Sequence, residues 1–173
     1  MIRWGTLSDF AQIYEIMSVS FPETEYRTRA EQEALFEDER YKVLVFAEGH
    51  NGRVVAFLAI WKMKSFVFIE HLAVLPEFRN SGIGKSLLEA LVSSIGSEIC
   101  LEVEPPDEEI KRRRIAFYGR LGFVLNNYPY IQPSITKGQP PIPLMVMTYP
   151  CGVCKTRFEE IRAELYREVY KTE

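Results

Sequence analysis

The sequence predicts an α+β domain built on a mixed sheet of six to seven strands, layered α/β/α between helices. Three observations point there. Tyr41–Glu48 and Arg53–Met63 are apolar, β-rich runs on either side of Gly49-His50-Asn51-Gly52, the signature of an antiparallel hairpin. A third such run, residues 66–75, ends at Pro76, and an amphipathic helix and another short strand at 98–104 follow it. A strand–helix–strand unit in one sheet makes its two strands parallel neighbours with a right-handed crossover. Finally, 173 residues with 47% hydrophobic and 26% charged content fit a single domain with a sizeable core.

The other elements follow in order. Residues 2–5 read as a short first strand. Ser8 is placed to cap a helix running to Ser20, in which Phe10, Ile13, Tyr14 and Met17 form an apolar stripe that Pro22 ends. Thr28 and Glu31 form a capping box for a charged, peripheral helix to about Arg40. After the turn at 79–84, Ile83, Leu87, Leu88, Leu91, Val92 and Ile95 lie on one side of a helix that Gly96 closes. Pro105-Pro106 ends the fifth strand. Asp107, Glu108 and Glu109 suit the start of the next helix, which stops at Gly122. A sixth strand at 123–128, a proline-rich loop at 129–141 and a last strand at 143–149 come next. A capping box at Thr156 and Glu159 opens a C-terminal helix, lined by Phe158, Ile161, Leu165 and Val169. That helix covers the sheet or makes a homodimer.

Composition excludes several function classes. A net charge of −3 marks neither a nucleic-acid nor a membrane partner. The first residues lack a signal-peptide pattern and no apolar run could span a bilayer, so the expected location is cytoplasmic. Cys100, Cys151 and Cys154 are an odd count, against a disulfide scaffold. Cys151-Gly152-Val153-Cys154 has only His50, His71 and Cys100 as further ligand candidates, none at usual spacing, so no metal is expected.

The turn between the third strand and its helix carries the chemistry. Backbone N–H groups at a glycine-rich turn and a helix N-terminus are unpaired and partly positive, a ready phosphate site. Gly82-Ile83-Gly84-Lys85-Ser86 imitates the end of a P-loop, but the first glycine of that loop would stand at Arg79. A dinucleotide G-x-G-x-x-G fails at Leu87. What remains is Arg79-Asn80-Ser81-Gly82-Ile83-Gly84: a cation, two flexible glycines and successive N–H groups, which suits a pyrophosphate.

The pattern Val74-x-Pro76-x-x-Arg79-x-x-Gly82-x-Gly84 resembles the coenzyme A-binding motif of the GNAT N-acyltransferase superfamily. Phe117-Tyr118-Gly119-Arg120-Leu121-Gly122-Phe123 is similar to that family's Tyr-x-x-x-Gly-Phe segment. The resemblance covers residues 1–149, with 150–173 a helical extension packed on the same domain. It implies a GNAT-like, mostly antiparallel sheet whose parallel pair splays apart, with a bulge near Leu72–Val74. It also implies an acetyl-CoA cosubstrate. Pantetheine would pair with Leu72, Ala73 and Val74, and the pyrophosphate would sit on Arg79, Asn80, Ser81, Gly82, Ile83 and Gly84, with Lys85 adding charge or lying solvated.

The activity the resemblance implies is acetyl transfer to a primary amine of a small molecule or peptide. The alternative on the same fold is a non-catalytic acyl-CoA sensor or interaction module. Tyr118 stands where the family places the tyrosine that partners the leaving thiolate; it would otherwise pack with Phe117 and Phe123. Glu70 is the candidate base, its pKa expected to rise by burial unless it is ion-paired. His71 competes with it, since adjacent strand residues normally face opposite sides. Lys111 and Arg114 stand where the family often carries Asn and Ala; the run Lys111–Arg114 either reaches phosphate or forms a solvated helix face.

Overall fold

The computed structural model of this chain describes residues 1–49, 52–135 and 138–172. His50 and Asn51 of the hairpin turn, and residues 136–137 of the long loop, lie outside the described residues. Seven strands form one sheet in the order β1-β2-β3-β4-β5-β7-β6. The chain divides into two compact units, Met1–Lys62 with Ile69–Gly96 and Met63–Phe68 with Ser97–Glu173.

The first unit holds β1 (Ile2–Trp4), α1 (Phe10–Ser20), α2 (Arg29–Ala34), β2 (Tyr41–Glu48), β3 (Arg53–Lys62), most of β4 (Phe66–Val74) and α3 (Ile83–Ser94). The predicted hairpin is present, pairing Tyr41 with Trp61 and Val45 with Phe57, with a bulge between Phe46 and Ala47. Strand β1 pairs antiparallel to β2, Ile2 opposite Phe46. Every residue from Val54 to Trp61 is buried, because α1 and α3 both pack on β3. A strand covered on both faces reads as a continuous apolar run rather than an alternating one.

Two helix starts differ from expectation. The cap residue of α1 is Asp9 rather than Ser8, at the end of a short 3-10 turn over Leu7–Asp9 that Thr6 opens. The Asp9 carboxylate accepts the Thr6 N–H at 2.8 Å while holding the Arg3 guanidinium. Asp9 thereby satisfies a helix-start donor that a Ser8 cap would have left open. The Thr28–Glu31 box forms as read, but α2 ends at Ala34 and gives way to a 3-10 turn over Leu35–Glu37. Few apolar positions hold a longer helix to the core.

The second unit holds the first three residues of β4, then β5 (Glu98–Val103), α4 (Glu109–Gly119), β6 (Val124–Gln132), β7 (Ile142–Tyr149) and α5 (Lys155–Glu168). Strand β7 pairs antiparallel with both β5 and β6. Sheet neighbours joined through α3, β4 and β5 are the parallel pair of an otherwise antiparallel sheet. Strand β6 runs to Gln132, past the predicted end at 128, and so takes in the start of the expected loop. An irregularity between Asn126 and Tyr130 interrupts its pairing and hides its continuity in the sequence pattern.

Helix α5 starts at Lys155 behind Cys154, one residue ahead of the Thr156 cap expected for it. Its buried Phe158, Ile161 and Leu165 are the stripe read from the sequence. A polar cluster joins its end to the sheet of this unit. The Glu102 carboxylate accepts from the Tyr130 hydroxyl, from Gln132 Nε2 at 2.6 Å and from the Tyr170 hydroxyl at 2.6 Å. A half-buried carboxylate surrounded by donors is tolerated because its charge is solvated by the protein.

Candidate active site

Strand β4 ends at Val74, a 3-10 turn covers Pro76–Phe78, and α3 begins at Ile83. Asn80 has a φ of 61° and Gly82, the residue ahead of α3, a φ of 84°. Both occupy the left-handed region, which glycine enters freely and asparagine more readily than most residues. The first intrahelical bond runs from Ser86 N–H to Gly82 O, at 3.0 Å. The N–H groups of Ile83, Gly84 and Lys85 thus precede it, without an intrahelical acceptor. A Cβ built on Gly82 would meet nothing within 4 Å, so the turn faces open space that a phosphate could enter. These features fit an anion, as the sequence suggested.

The polar side chains of the turn are partly committed locally. Arg79 Nε donates to the carbonyl of Val74 at 3.1 Å, tying the turn to the strand end. Lys85 is exposed and pairs with Glu89 at 3.6 Å. Ser81 Oγ donates to the carbonyl of Phe78. Backbone N–H groups, rather than these side chains, are the donors the turn presents.

Glu70 and His71 occupy the same strand a few residues earlier. Their side chains are only 2% and 4% exposed, and His71 Nδ1 lies 3.5 Å from Glu70 Oε2. Alternation directs the two Cβ atoms apart, yet the flexible glutamate stem brings its carboxylate beside the ring. Glu70 Oε1 accepts from Arg27 at 2.9 Å. Oε2 accepts no protein hydrogen bond, and His71 Nδ1 likewise makes none. His71 Nε2 stands 2.8 Å from the carbonyl of Glu25. A carbonyl can only accept, so Nε2 is the nitrogen that carries the proton in this contact.

Glu70 is therefore the ion-paired case. Burial pushes its carboxyl up, but the Arg27 guanidinium leads the opposing pulls, and it sits well below the usual carboxylate range. Arg27 was not legible as a site residue. It lies in an irregular connection 43 positions before its partner, and no sequence spacing links the two.

In the second unit, Tyr118 lies near the end of α4 and packs edge-on to Phe117 and Phe123, with ring centroids 5.2 and 5.9 Å apart. Burial pushes its phenol up to about 12, against a smaller opposite pull from Arg114. At neutral pH it is a hydrogen-bond donor. Gly122, at a φ of 92°, closes the helix as predicted.

Three cations of α4 are tied to acids at its start and in the segment before it. Lys111 pairs with Asp107 at 2.9 Å and Glu108 at 3.0 Å, Arg113 with Glu109, and Arg114 with Glu104 at 3.0 Å. Arg113 and Arg114 are exposed, while Lys111 is largely covered. Several aromatics of the two units are packed. Phe21 lies against His71, Tyr128 against Phe158, and Tyr26 is buried. Cys151 and Cys154 are exposed and free. Among the described residues, no cluster of three or more His, Cys, Asp or Glu could hold a metal ion, and no helix is long and apolar enough to cross a membrane.

A profile of the acetyltransferase (GNAT) family matches residues 10–123. The chain belongs to this family. A GNAT-family protein from Bacteroides thetaiotaomicron superposes with a TM-score of 0.88 at 31% identity, over 100% of this chain and 99% of that one. The Arabidopsis thaliana NAA60 structure, solved with acetyl-CoA, shares the fold at a TM-score of 0.66 and 17% identity, covering 86% of this chain and 97% of its own. The Bacillus subtilis protein YjbC is 34% identical over 112 residues, 64% of this chain. The match spans about half of YjbC, 55% of its length. The GNAT assignment agrees with the resemblance carried by Arg79–Gly84 and Tyr118–Phe123.

Proposed function

We propose that this GNAT protein transfers the acetyl group of acetyl-CoA to a primary amine by direct attack. The observation that carries the reading is the left-handed Gly82 turn in front of α3, facing open space and preceded by the family's arginine. Residues Arg79–Lys85 would hold the pyrophosphate on backbone N–H groups. The backbone of Leu72–Val74 would pair with pantetheine. The cosubstrate supplies an activated thioester, and the protein contributes orientation and proton handling.

In this reading the amine nitrogen attacks the thioester carbonyl carbon, the C–S bond breaks, and the thiolate leaves. The amine must shed a proton, because an ammonium has no lone pair. Glu70 is the proposed acceptor of that proton, through an intervening water because its side chain is only 2% exposed. Arg27 keeps the group anionic and so ready to accept, at some cost in basicity. Tyr118 is the proposed donor to the departing sulfur. A phenol pushed up to about 12 stabilises a thiolate by hydrogen bonding rather than by giving up its proton. A backbone N–H near Val74 would stabilise the oxyanion.

The acceptor class is a small-molecule or peptide amine, and a cytoplasmic location and a homodimer through the C-terminal helix belong to the same proposal. The test is an acetyl-CoA-dependent screen of amines, amino acids, aminoglycosides and peptides with thiol release as readout. Acetylation of at least one supports the reading. Acetyl-CoA binding without acetylation of any would favour a sensor.

A further inference from the structure

The connection between α1 and α2 is unusually well anchored for an irregular segment. Phe21 packs on the His71 ring at 4.9 Å. The Glu25 carbonyl accepts a hydrogen bond from His71 Nε2. Tyr26 is buried and packs edge-on to Tyr14. Arg27 lies 5.9 Å above the Trp61 ring and pairs with Glu70. Two of these anchors are buried polar contacts to adjacent residues of β4, and one of those residues is the carboxylate proposed above as base. Loops ordinarily avoid buried ionic contacts, since an unpaired partner is costly. A residue held this way has a definite geometry to enforce.

We propose that Arg27 is a positioning residue for acetyl transfer: with the His71–Glu25 contact it latches the Phe21–Arg27 connection to β4, and through its bond to Oε1 it fixes the orientation and charge of the Glu70 carboxylate. The proposal rests on Glu70 as the proton acceptor. The geometry explains why the carboxylate is asymmetric, one oxygen paired at 2.9 Å and the other without a protein donor. It also makes the Phe21–Arg27 connection and the base a single unit, so a change in either disturbs both. Three groups bear on the Glu70 charge from the elements around it: Arg27 in the connection, His71 on the same strand, and Tyr41 of β2, whose phenol is pushed up by burial and by that charge.

Removing Arg27 takes away the largest pull opposing burial, so the Glu70 carboxyl rises from its lowered position. The loss of stability relative to wild type then grows as pH rises, because the variant's carboxylate must be charged without its partner. The free protein is therefore melted from pH 3 to 8 as wild type, Arg27→Met, Arg27→Lys, and Arg27→Met with Glu70→Gln. The expected result is a melting temperature of Arg27→Met that falls with rising pH relative to wild type. Adding Glu70→Gln flattens this slope, and Arg27→Lys restores most of the native profile. Peptide-resolved hydrogen exchange should quicken tenfold or more over residues 21–28 in Arg27→Met, with α3 unchanged. With acetyl-CoA and ethylamine as probe acceptor, Arg27→Met slows thiol release tenfold or more while acetyl-CoA affinity holds. A pH-independent loss of melting temperature, or unchanged exchange over 21–28, would overturn the latch even where wild type acetylates amines. Conversely, absent acetyl-CoA binding by wild type would sink the proposed activity, while melting and exchange still decide the latch.

Discussion

Gly82→Ala tests the phosphate-cradle reading quantitatively. At a φ of 84° an alanine pays roughly 1–2 kcal/mol of backbone strain. Its Cβ meets nothing within 4 Å, so no steric cost within the protein adds to this. For a chain of this size each kcal/mol lowers the melting temperature by roughly 2–4 °C, so a loss of about 2–8 °C is expected, with the fold intact. The effect on binding should be larger in proportion. The methyl group stands in the space through which a phosphate would reach the turn. Losing one hydrogen bond from a backbone N–H to a charged oxygen costs about 1.5–3 kcal/mol, or roughly 10- to 100-fold in affinity. Calorimetric titration with coenzyme A measures it, and acetylpantetheine, which lacks the pyrophosphate, is the control. Gly82→Ala should weaken coenzyme A by that factor and leave acetylpantetheine unaffected. A variant that melts as expected but binds coenzyme A like wild type would refute the cradle.

Other consequences are equally accessible. Tyr118→Phe should retain acetyl-CoA affinity and slow single-turnover thiol release by roughly 10- to 100-fold, the worth of one hydrogen bond to a charged sulfur. The Arg3 guanidinium, hydrogen-bonded to Asp9, holds that carboxyl down to about 2 against the opposing effect of burial. Its stabilisation is therefore present above about pH 4 and lost as pH falls through 2. Asp9→Asn should lower the urea midpoint at pH 6 and reduce the acid-induced part of the loss between pH 4 and 2. Leu165→Ala removes a fully buried side chain from α5 and should cost about 2–5 kcal/mol in urea unfolding.

The elements most legible in the sequence were those whose signals are local. The hairpin announced itself through two apolar runs and a glycine-flanked turn, and the Thr28–Glu31 box formed as read. Gly82 and Gly122 both adopt the positive φ that their places suggested. Boundaries failed where a tertiary contact substituted for a local one. Asp9 reaches back to Thr6 and displaces Ser8 as the cap, and β6 continues through an irregularity that breaks its alternation. In the candidate site, the turn was legible because its requirements are backbone requirements, met by glycine and by helix geometry. Glu70 was legible as an acid within an apolar strand, but its charge state was not. That depends on Arg27, brought to 2.9 Å by the fold of a connection with no periodic pattern. The same holds for Glu102, whose donors Tyr130, Gln132 and Tyr170 come from β6 and the chain end.

The central claim is that this GNAT chain moves acetyl from acetyl-CoA to an amine, and one measurement addresses it most directly. Purified protein is incubated with acetyl-CoA and an amine panel, and thiol release and acetylated product are followed together. The account predicts equimolar thiol and acetyl-amine for at least one acceptor, lost with Glu70→Gln while acetyl-CoA still binds. Thiol release at the buffer rate with every amine, from a protein that binds acetyl-CoA, would contradict it.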